Sequence, residues 1–551
     1  MKRSMINLLA LPILALMAVA TAGADPHWVT SYDGPGAGED TPSAITFDAN
    51  GDCTIAGASI GSGQDFDYVT IKVDGSGNEV WVARYDGPAS SDDFATDVVA
   101  DGEGAVYVTG ASAGADSADI ATVKYDADGT EVWVARYNGP DDSWDEGTRI
   151  GLGESGSVYV TGASFDAGGE SIIATVKYDA DGMETWADRY RFGDGFTQEP
   201  RDLAAPAWGG VVIVGAVGAV ADTSGDTYDY LVLCYASDGT LDWSATYDGP
   251  GGGMDAAEAV GVDEDGTIFV TGLSEGDGTG LDYATLAYSS DGTLLWEARR
   301  DGSAGSDDVA VGVAVDATGS VVVTGMTTET ASQLDFTTVK YDVDGVEQWA
   351  QLYDGLGNGE DAPHFVATGG DGEVFVTGRS WAGEDESTTG FATVKYASDG
   401  TLDWVERYDV ADSVWAEPVA LGLDPLGNLT VTGTRYDIDT GLDLILLGYG
   451  GAPMDVAAEE SSVPARLQLY QNSPNPFSTR TTIRFALPRP GPVSLRVYDP
   501  SGREVARLLD GMQEAGRHAI PWSPAGLAKG IYLIRLRANE GVESRKMMVL
   551  D

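Results

Sequence analysis

One tryptophan recurs along this chain at a spacing that leaves few folds open. Trp28, Trp81, Trp133, Trp186, Trp243, Trp296, Trp349 and Trp404 follow one another at intervals of 53, 52, 53, 57, 53, 53 and 55 residues. Its surroundings recur with it, most cleanly as Lys124-Tyr-Asp-Ala-Asp-Gly-Thr-Glu-Val-Trp-Val-Ala-Arg-Tyr-Asn-Gly139. That stretch reads as two short strands joined by a polar turn, since Asp-Gly supplies the positive φ that a tight hairpin needs. A period of this length marks a unit that cannot bury its apolar face alone and stacks on its neighbours.

Aligned on the tryptophan, each unit holds four strand signals rich in β-branched and aromatic residues. The first is a stretch such as Ala95-Thr-Asp-Val-Val-Ala100; the second is Val106-Tyr-Val-Thr-Gly110, echoed at Val158, Ile268, Val374 and Leu429. The third is Ala121-Thr-Val-Lys-Tyr125, echoed at Ala174, Thr337 and Ala392, and the fourth carries the tryptophan. Four antiparallel strands per unit is the signature of a β-propeller blade. The last set of three strands, over residues 418–449, has no tryptophan strand after it, while His27-Trp-Val-Thr-Ser-Tyr-Asp-Gly34 precedes the first complete set. The expected fold is therefore all-β, an eight-bladed propeller over residues 25–450 whose N-terminal strand closes the last blade. The fourth repeat departs from the pattern, and residues 191–206 within it read as irregular.

Composition supports this reading. Glycine makes up 74 of 551 residues and falls at regular turn positions, which speaks for many short strands rather than disorder. Net charge is −57; residues 467–551 hold 12 Lys/Arg against 7 Asp/Glu, so the rest carries −62. A field of that sign repels nucleic acid and anionic lipid and attracts cations, which excludes nucleic-acid partners. Lys2 and Arg3, the apolar residues 8–19 and the small residues Ala20-Thr-Ala-Gly-Ala24 form a secretory signal peptide over residues 1–24. The apolar run is too short to span a bilayer, and no membrane span is expected in the mature chain. Cys53 and Cys234 lie in the first and fourth repeats, too far apart to pair, and are expected as buried free thiols.

Residues 451–466 read as an acidic linker, and residues 467–551 as a small β-sandwich sorting domain of different composition. Leu469-Tyr-Gln-Asn-Ser-Pro-Asn-Pro-Phe477, Val497-Tyr-Asp-Pro-Ser-Gly502, Gly530-Ile-Tyr532 and Lys546-Met-Met-Val-Leu550 occur there in order. This tail resembles the C-terminal sorting domain of type IX secretion, and is similar to the immunoglobulin-like domain of flagellar hook-assembly proteins. The resemblance implies recognition by outer-membrane secretion machinery and a product that is secreted or at the surface of a bacterium with an outer membrane. Gly530, Tyr532 and Lys546 match the family's terminal motifs. The repeats, in turn, resemble secreted bacterial β-propeller repeats. Their Tyr-x-x-Asp-Gly-x-x-x-Trp hairpin looks like the tryptophan-docking repeat of eight-bladed quinoprotein dehydrogenases, and more weakly like the Asp-box of sialidases.

Recurrence argues against chemistry in the repeat itself. A turn aspartate caps its own backbone amides, and a tryptophan fixed in every fourth strand packs between blades. Trp144, Trp208, Trp381 and Trp415 lie outside the series, in connecting regions, and are the candidate ligand-contact aromatics. No catalytic residue and no metal ligand set is assigned: there is no Gly-x-Ser-x-Gly elbow, no His-Glu-x-x-His and no EF-hand loop. A sialidase would need arginines clustered at the propeller centre, whereas Lys and Arg sit mostly at repeated strand positions such as Lys124, Arg136, Lys177 and Arg189. The quinoprotein reading lacks the adjacent cysteines and Cys-x-x-Cys-His of many relatives. No cofactor is expected beyond weakly held surface calcium. The expected function is a non-catalytic binding or adhesion module for an extracellular glycan or protein. The alternative is an enzyme on the same scaffold, a carbohydrate-active hydrolase or lyase or a quinone-dependent dehydrogenase.

Overall fold

The computed structural model describes residues 26–35, 38–61, 65–89, 91–219, 227–302, 305–328, 334–355, 359–381, 389–408, 415–437, 441–449, 467–469, 481–500, 503–513, 516–524, 527, 529–539 and 541–549. The signal peptide, the linker and the Tyr-Gln-Asn-Ser-Pro-Asn-Pro-Phe part of the tail motif lie outside the described residues.

Eight four-stranded antiparallel sheets succeed one another along residues 28–449. The second is representative: Asp93–Ala100, Val106–Ala113, Ala118–Tyr125 and Glu131–Tyr137 pair in chain order. Its second and third strands are buried almost throughout, whereas the fourth is exposed at Glu131, Val132 and Val134. That gradient follows from stacking, since middle strands are covered on both faces by adjoining sheets. The turns carry the expected chemistry. Asp126 Oδ1 accepts the Asp128 and Thr130 amides at 3.0 and 2.9 Å, and Gly129 takes φ 80°.

The recurring tryptophan joins one sheet to the next. Trp81 Nε1 donates to Ala127 O at 3.0 Å in the following sheet, and its ring lies on Gly129, where a Cβ would stand 2.6 Å from Trp81 Cδ2. The same dock recurs at Trp133, Trp186, Trp243, Trp296 and Trp349. Arg136 adds a second tie: it binds Ser112 and Asp119 in its own sheet and donates to the Tyr85 hydroxyl of the preceding one at 3.1 Å.

The first strands of consecutive sheets touch, and that of the eighth, Ala416–Leu423, touches that of the first, Asp40–Phe47. A Cβ on Gly422 would meet the Phe47 ring at 2.5 Å. The eighth sheet is ordered Ala416–Leu423, Leu429–Asp437, Gly441–Tyr449, Trp28–Tyr32, so the N-terminal strand supplies its fourth member. Cys53 and Cys234 are both buried and free. The fourth sheet corrects the sequence reading. Within residues 191–206, Phe196–Ala204 is a nine-residue strand with a single bulge. Pro200 pairs with Gly215 beside a bulge on the outermost position of its sheet, where no ladder amide is needed.

The tail holds a three-stranded sheet (Gln468–Leu469, Thr481–Leu487, Gly516–Trp522) and a four-stranded one ordered Glu504–Gln513, Gly491–Tyr498, Gly530–Ala538, Gly541–Val549. Both contribute to one core, with Ile483 and Phe485 against Leu495, Val497, Ile534 and Leu536.

Candidate functional site

The first strands share a local defect that aims one side chain each. In seven of them the register slips by one residue at the same place, skipping Ser43, Thr96, Thr148, Arg201, Glu258, Val311 and His364. A bulge leaves the extra residue unpaired and re-aims its side chain. Thr148, Arg201, Glu258, Val311 and His364 accordingly line a single cavity of about 700 Å³, together with Glu146, Arg149, Glu199, Phe165, Met326 and Phe365. The backbone geometry is constant around this arc, and the side chains it presents are not.

Charge is concentrated in it. Arg201 donates to Glu199 Oε2 at 2.8 Å and reaches Glu258 Oε2 at 4.0 Å; Arg149 Nε lies 3.4 Å from Asp202 Oδ1. Asp97, Arg149 and Asp202 hold the same register position on three successive first strands, opposite Thr109, Thr161 and Val214. Asp97 accepts Ile150 N and Asp202 accepts Val260 N, each at 2.9 Å, so both carboxylates also fasten their sheet to the next.

Burial pushes the Asp97 carboxyl up to about 6, with Asp202 adding to the rise and Arg149 opposing it. Burial likewise raises Asp202 and Glu258; Arg149 opposes the first, and Arg201 the second. His364 Nε2 stands 3.7 Å from Glu417 Oε1, yet burial and Arg379 hold its pKa below the usual imidazole value. Shifted titrations of this kind concentrate at functional sites. The cavity offers guanidinium donors, carboxylate acceptors and an aromatic wall, a set suited to a polyhydroxylated or zwitterionic ligand.

Of the four candidate tryptophans, Trp144 reaches this place. It is 47% exposed, and its Nε1 donates to Glu146 Oε2 at 3.3 Å on the cavity wall. Trp381 is half-buried and ends the strand Val374–Trp381 instead of lying in a connection. Trp415 stacks on Tyr436 with ring centroids 6.4 Å apart. Trp208 sits in the turn after Phe196–Ala204, against Gly266 of the next sheet and at the opposite end of the sheets from Trp144. In the tail, Gly530 (φ 146°) opens a strand that holds the buried Tyr532, and Lys546 faces Leu533 from the neighbouring strand.

The sequence reading missed Arg149, Arg201, Glu258 and His364. It placed Lys and Arg mostly at repeated strand positions; Arg149 and Arg201 are exceptions that stand in the cavity. The available signal was the first-strand position that varies as Ser, Thr, Thr, Arg, Glu, Val and His, after a small residue or proline. Nothing in a single sequence marks that position as a bulge.

Residues 473–550 match the secretion system C-terminal sorting domain. The protein is thus exported by the secretion system that reads this domain, and is secreted or at the cell surface. Among solved structures the chain is similar to Sqt1 from Chaetomium thermophilum, at 12% identity over 78% of this chain and 99% of that one, TM-score 0.49. It is also similar to a fungal alcohol oxidase of the AA5 family in complex with copper, at 11% identity over 96% and 100%, TM-score 0.40. PorZ, a surface component of the type-IX secretion system of Porphyromonas gingivalis, is similar at 10% identity over 93% and 81%, TM-score 0.23. Likenesses this remote assign no activity to the chain. No curated protein matches it.

Proposed function

We propose that this exported chain is a closed eight-bladed β-propeller that binds an extracellular glycan or protein segment at the mouth of its central channel. Its immunoglobulin-like tail is the address read by the outer-membrane secretion machinery. The observation that carries the binding reading is the ring of bulges. One backbone geometry recurs in seven sheets, while the side chains it presents change from Ser43, Thr96 and Thr148 to Arg201, Glu258 and His364. A purely structural position has no reason to collect unlike charges, and these stay partly exposed in the cavity, where a ligand can reach them. Trp144 on the rim adds a flat contact surface beside Glu146.

The test is a glycan-array and surface-protein pull-down with the mature protein, repeated with Arg201→Ala and Glu258→Ala. Capture of a ligand that both substitutions weaken at least tenfold supports the reading; ligands captured equally by wild type and variants overturn it.

The enzyme reading has one observation in its favour, the raised carboxyl of Glu258 in a cavity with two arginines. A carboxyl held above its usual range by burial is suited to general acid work on a glycan. Cleavage of a polysaccharide, or dye reduction after reconstitution with quinone and calcium, would replace the binding function with catalysis.

A further inference from the structure

In six sheets the first strand is entered through one device, and the fourth sheet replaces it. Gly34, Gly87, Gly139, Gly249, Gly302 and Gly355 each donate their amide to an aspartate six residues on. A Cβ on Gly87 would meet Ser112 Oγ, opposite that aspartate, at 2.4 Å, so the position admits no side chain beside the serine. The fourth sheet exchanges the whole set: Phe192 for the glycine, Gln198 for the aspartate, and Val217, opposite Gln198, for the serine.

The exchange leaves Phe192 turned outward. It is 41% exposed and held edge-on by Phe196, ring centroids 5.1 Å apart, while Phe196 packs with Tyr159, Ile173 and Val217. Arg191 beside it binds Asp166 and, at 2.6 Å, Glu170, in the connection that follows Phe165. Trp144 holds the same connection, its carbonyl accepting Phe165 N at 3.0 Å. Phe165 and Thr197, the neighbours of Asp166 and Phe196, both line the cavity. Two exposed rings, Trp144 and Phe192, thus stand around one corner of its rim. Single exposed aromatics need no explanation, but two that flank one polar cavity mark a contact surface.

The charges beside the rings decide what they face. Arg201 is paired with Glu199, Arg149 with Asp202 and Arg191 with Asp166 and Glu170, while Glu146 accepts Trp144 Nε1. A basic side chain would have to displace one of these guanidinium groups, and an anionic sugar would meet a strongly acidic repeat region. A neutral pyranose breaks no pair. Its hydroxyls bond to the remaining carboxylate lone pairs and guanidinium N–H groups, and its C–H face lies on the negative face of an aromatic ring. We propose that the ligand is a neutral glycan whose pyranose rings stack on Trp144 and Phe192 while their hydroxyls engage Glu146, Glu199 and Arg201. This rests on the reading of the cavity as the binding site.

The experiment titrates the mature full-length protein by calorimetry and tryptophan fluorescence with a panel of neutral glucan, xylan, mannan and galactan hexasaccharides, with oligogalacturonate, and with a lysine-rich peptide. Wild type is expected to bind a neutral member of the panel and neither charged probe. Trp144→Ala and Phe192→Ala should each weaken that binding at least tenfold, and Trp144→Phe, which keeps a ring, should recover most of the loss. Thermal melting of each variant checks that it is folded; should Phe192→Ala fail, Trp144→Ala decides alone. The glycan is overturned if the peptide or oligogalacturonate binds instead, if no neutral glycan binds, or if the alanine variants bind as wild type does. Each of these results leaves the cavity a binding site wherever a captured ligand is still weakened by Arg201→Ala and Glu258→Ala. A ligand indifferent to those two substitutions removes the cavity itself.

Discussion

At Gly292 two demands meet in one residue. Its φ is 84°, and a Cβ there would stand 2.7 Å from Cδ2 of Trp243, the ring that docks on it from the preceding sheet. Gly292→Ala should therefore destabilise by about 2 kcal/mol or more, combining left-handed strain with a lost ring contact; chemical denaturation of wild type and variant measures it. Both reasons for that glycine were half legible, since Asp-Gly announces the turn, but the indole above it belongs to another sheet. Asp97 is a residue whose behaviour only its neighbours decide. Its carboxyl titrates near 6 in the folded chain and near about 3.9 when unfolded. A raised carboxyl favours the folded state while protonated, so its contribution is full below about pH 4 and is lost as pH rises through about 6. Stability should fall over that window by up to about 3 kcal/mol, and Asp97→Asn should flatten that part of the profile. A Tm-against-pH series for both proteins, with the Asp97 carboxyl followed by NMR, checks the sign.

Among elements, the N-terminal strand Trp28–Tyr32 carries the largest consequence for its length. It is the fourth strand of the eighth sheet, and His27 N donates to Gly448 O at 2.7 Å across that joint. Removing residues 26–33 should leave Gly441–Tyr449 as an open edge, lower the melting temperature and promote aggregation. Calorimetry and light scattering of the truncated protein test this, and an unchanged melting profile would remove the strand from any closing role. The existence of this exchange was legible, because one tryptophan strand stood early and one was missing late. The strand over Phe196–Ala204 was not. Residues 191–206 depart from the pattern of the other repeats, and the strand there is kept by its partner across the ladder.

For the whole molecule, the tail and the repeats are separate devices with opposite charge. Deleting residues 467–551 should leave a folded repeat region that no longer reaches the cell surface, measured by surface proteolysis and fractionation. Unchanged delivery would deny the tail its sorting role. From the sequence alone came the all-β class, the number of repeats, the docking tryptophan and the export tail. Each of these is written in local pattern: a period, a turn dipeptide, an alternation or a motif in order. The tertiary structure decided which side chains meet. Arg201 and Glu258 lie 57 positions apart and become neighbours at the cavity only because bulges in adjoining sheets aim both at it. In a chain with 88 acidic residues, spacing cannot say which carboxylates converge. Convergence is a property of stacked sheets, and the stacking distance between them is invisible to any single repeat.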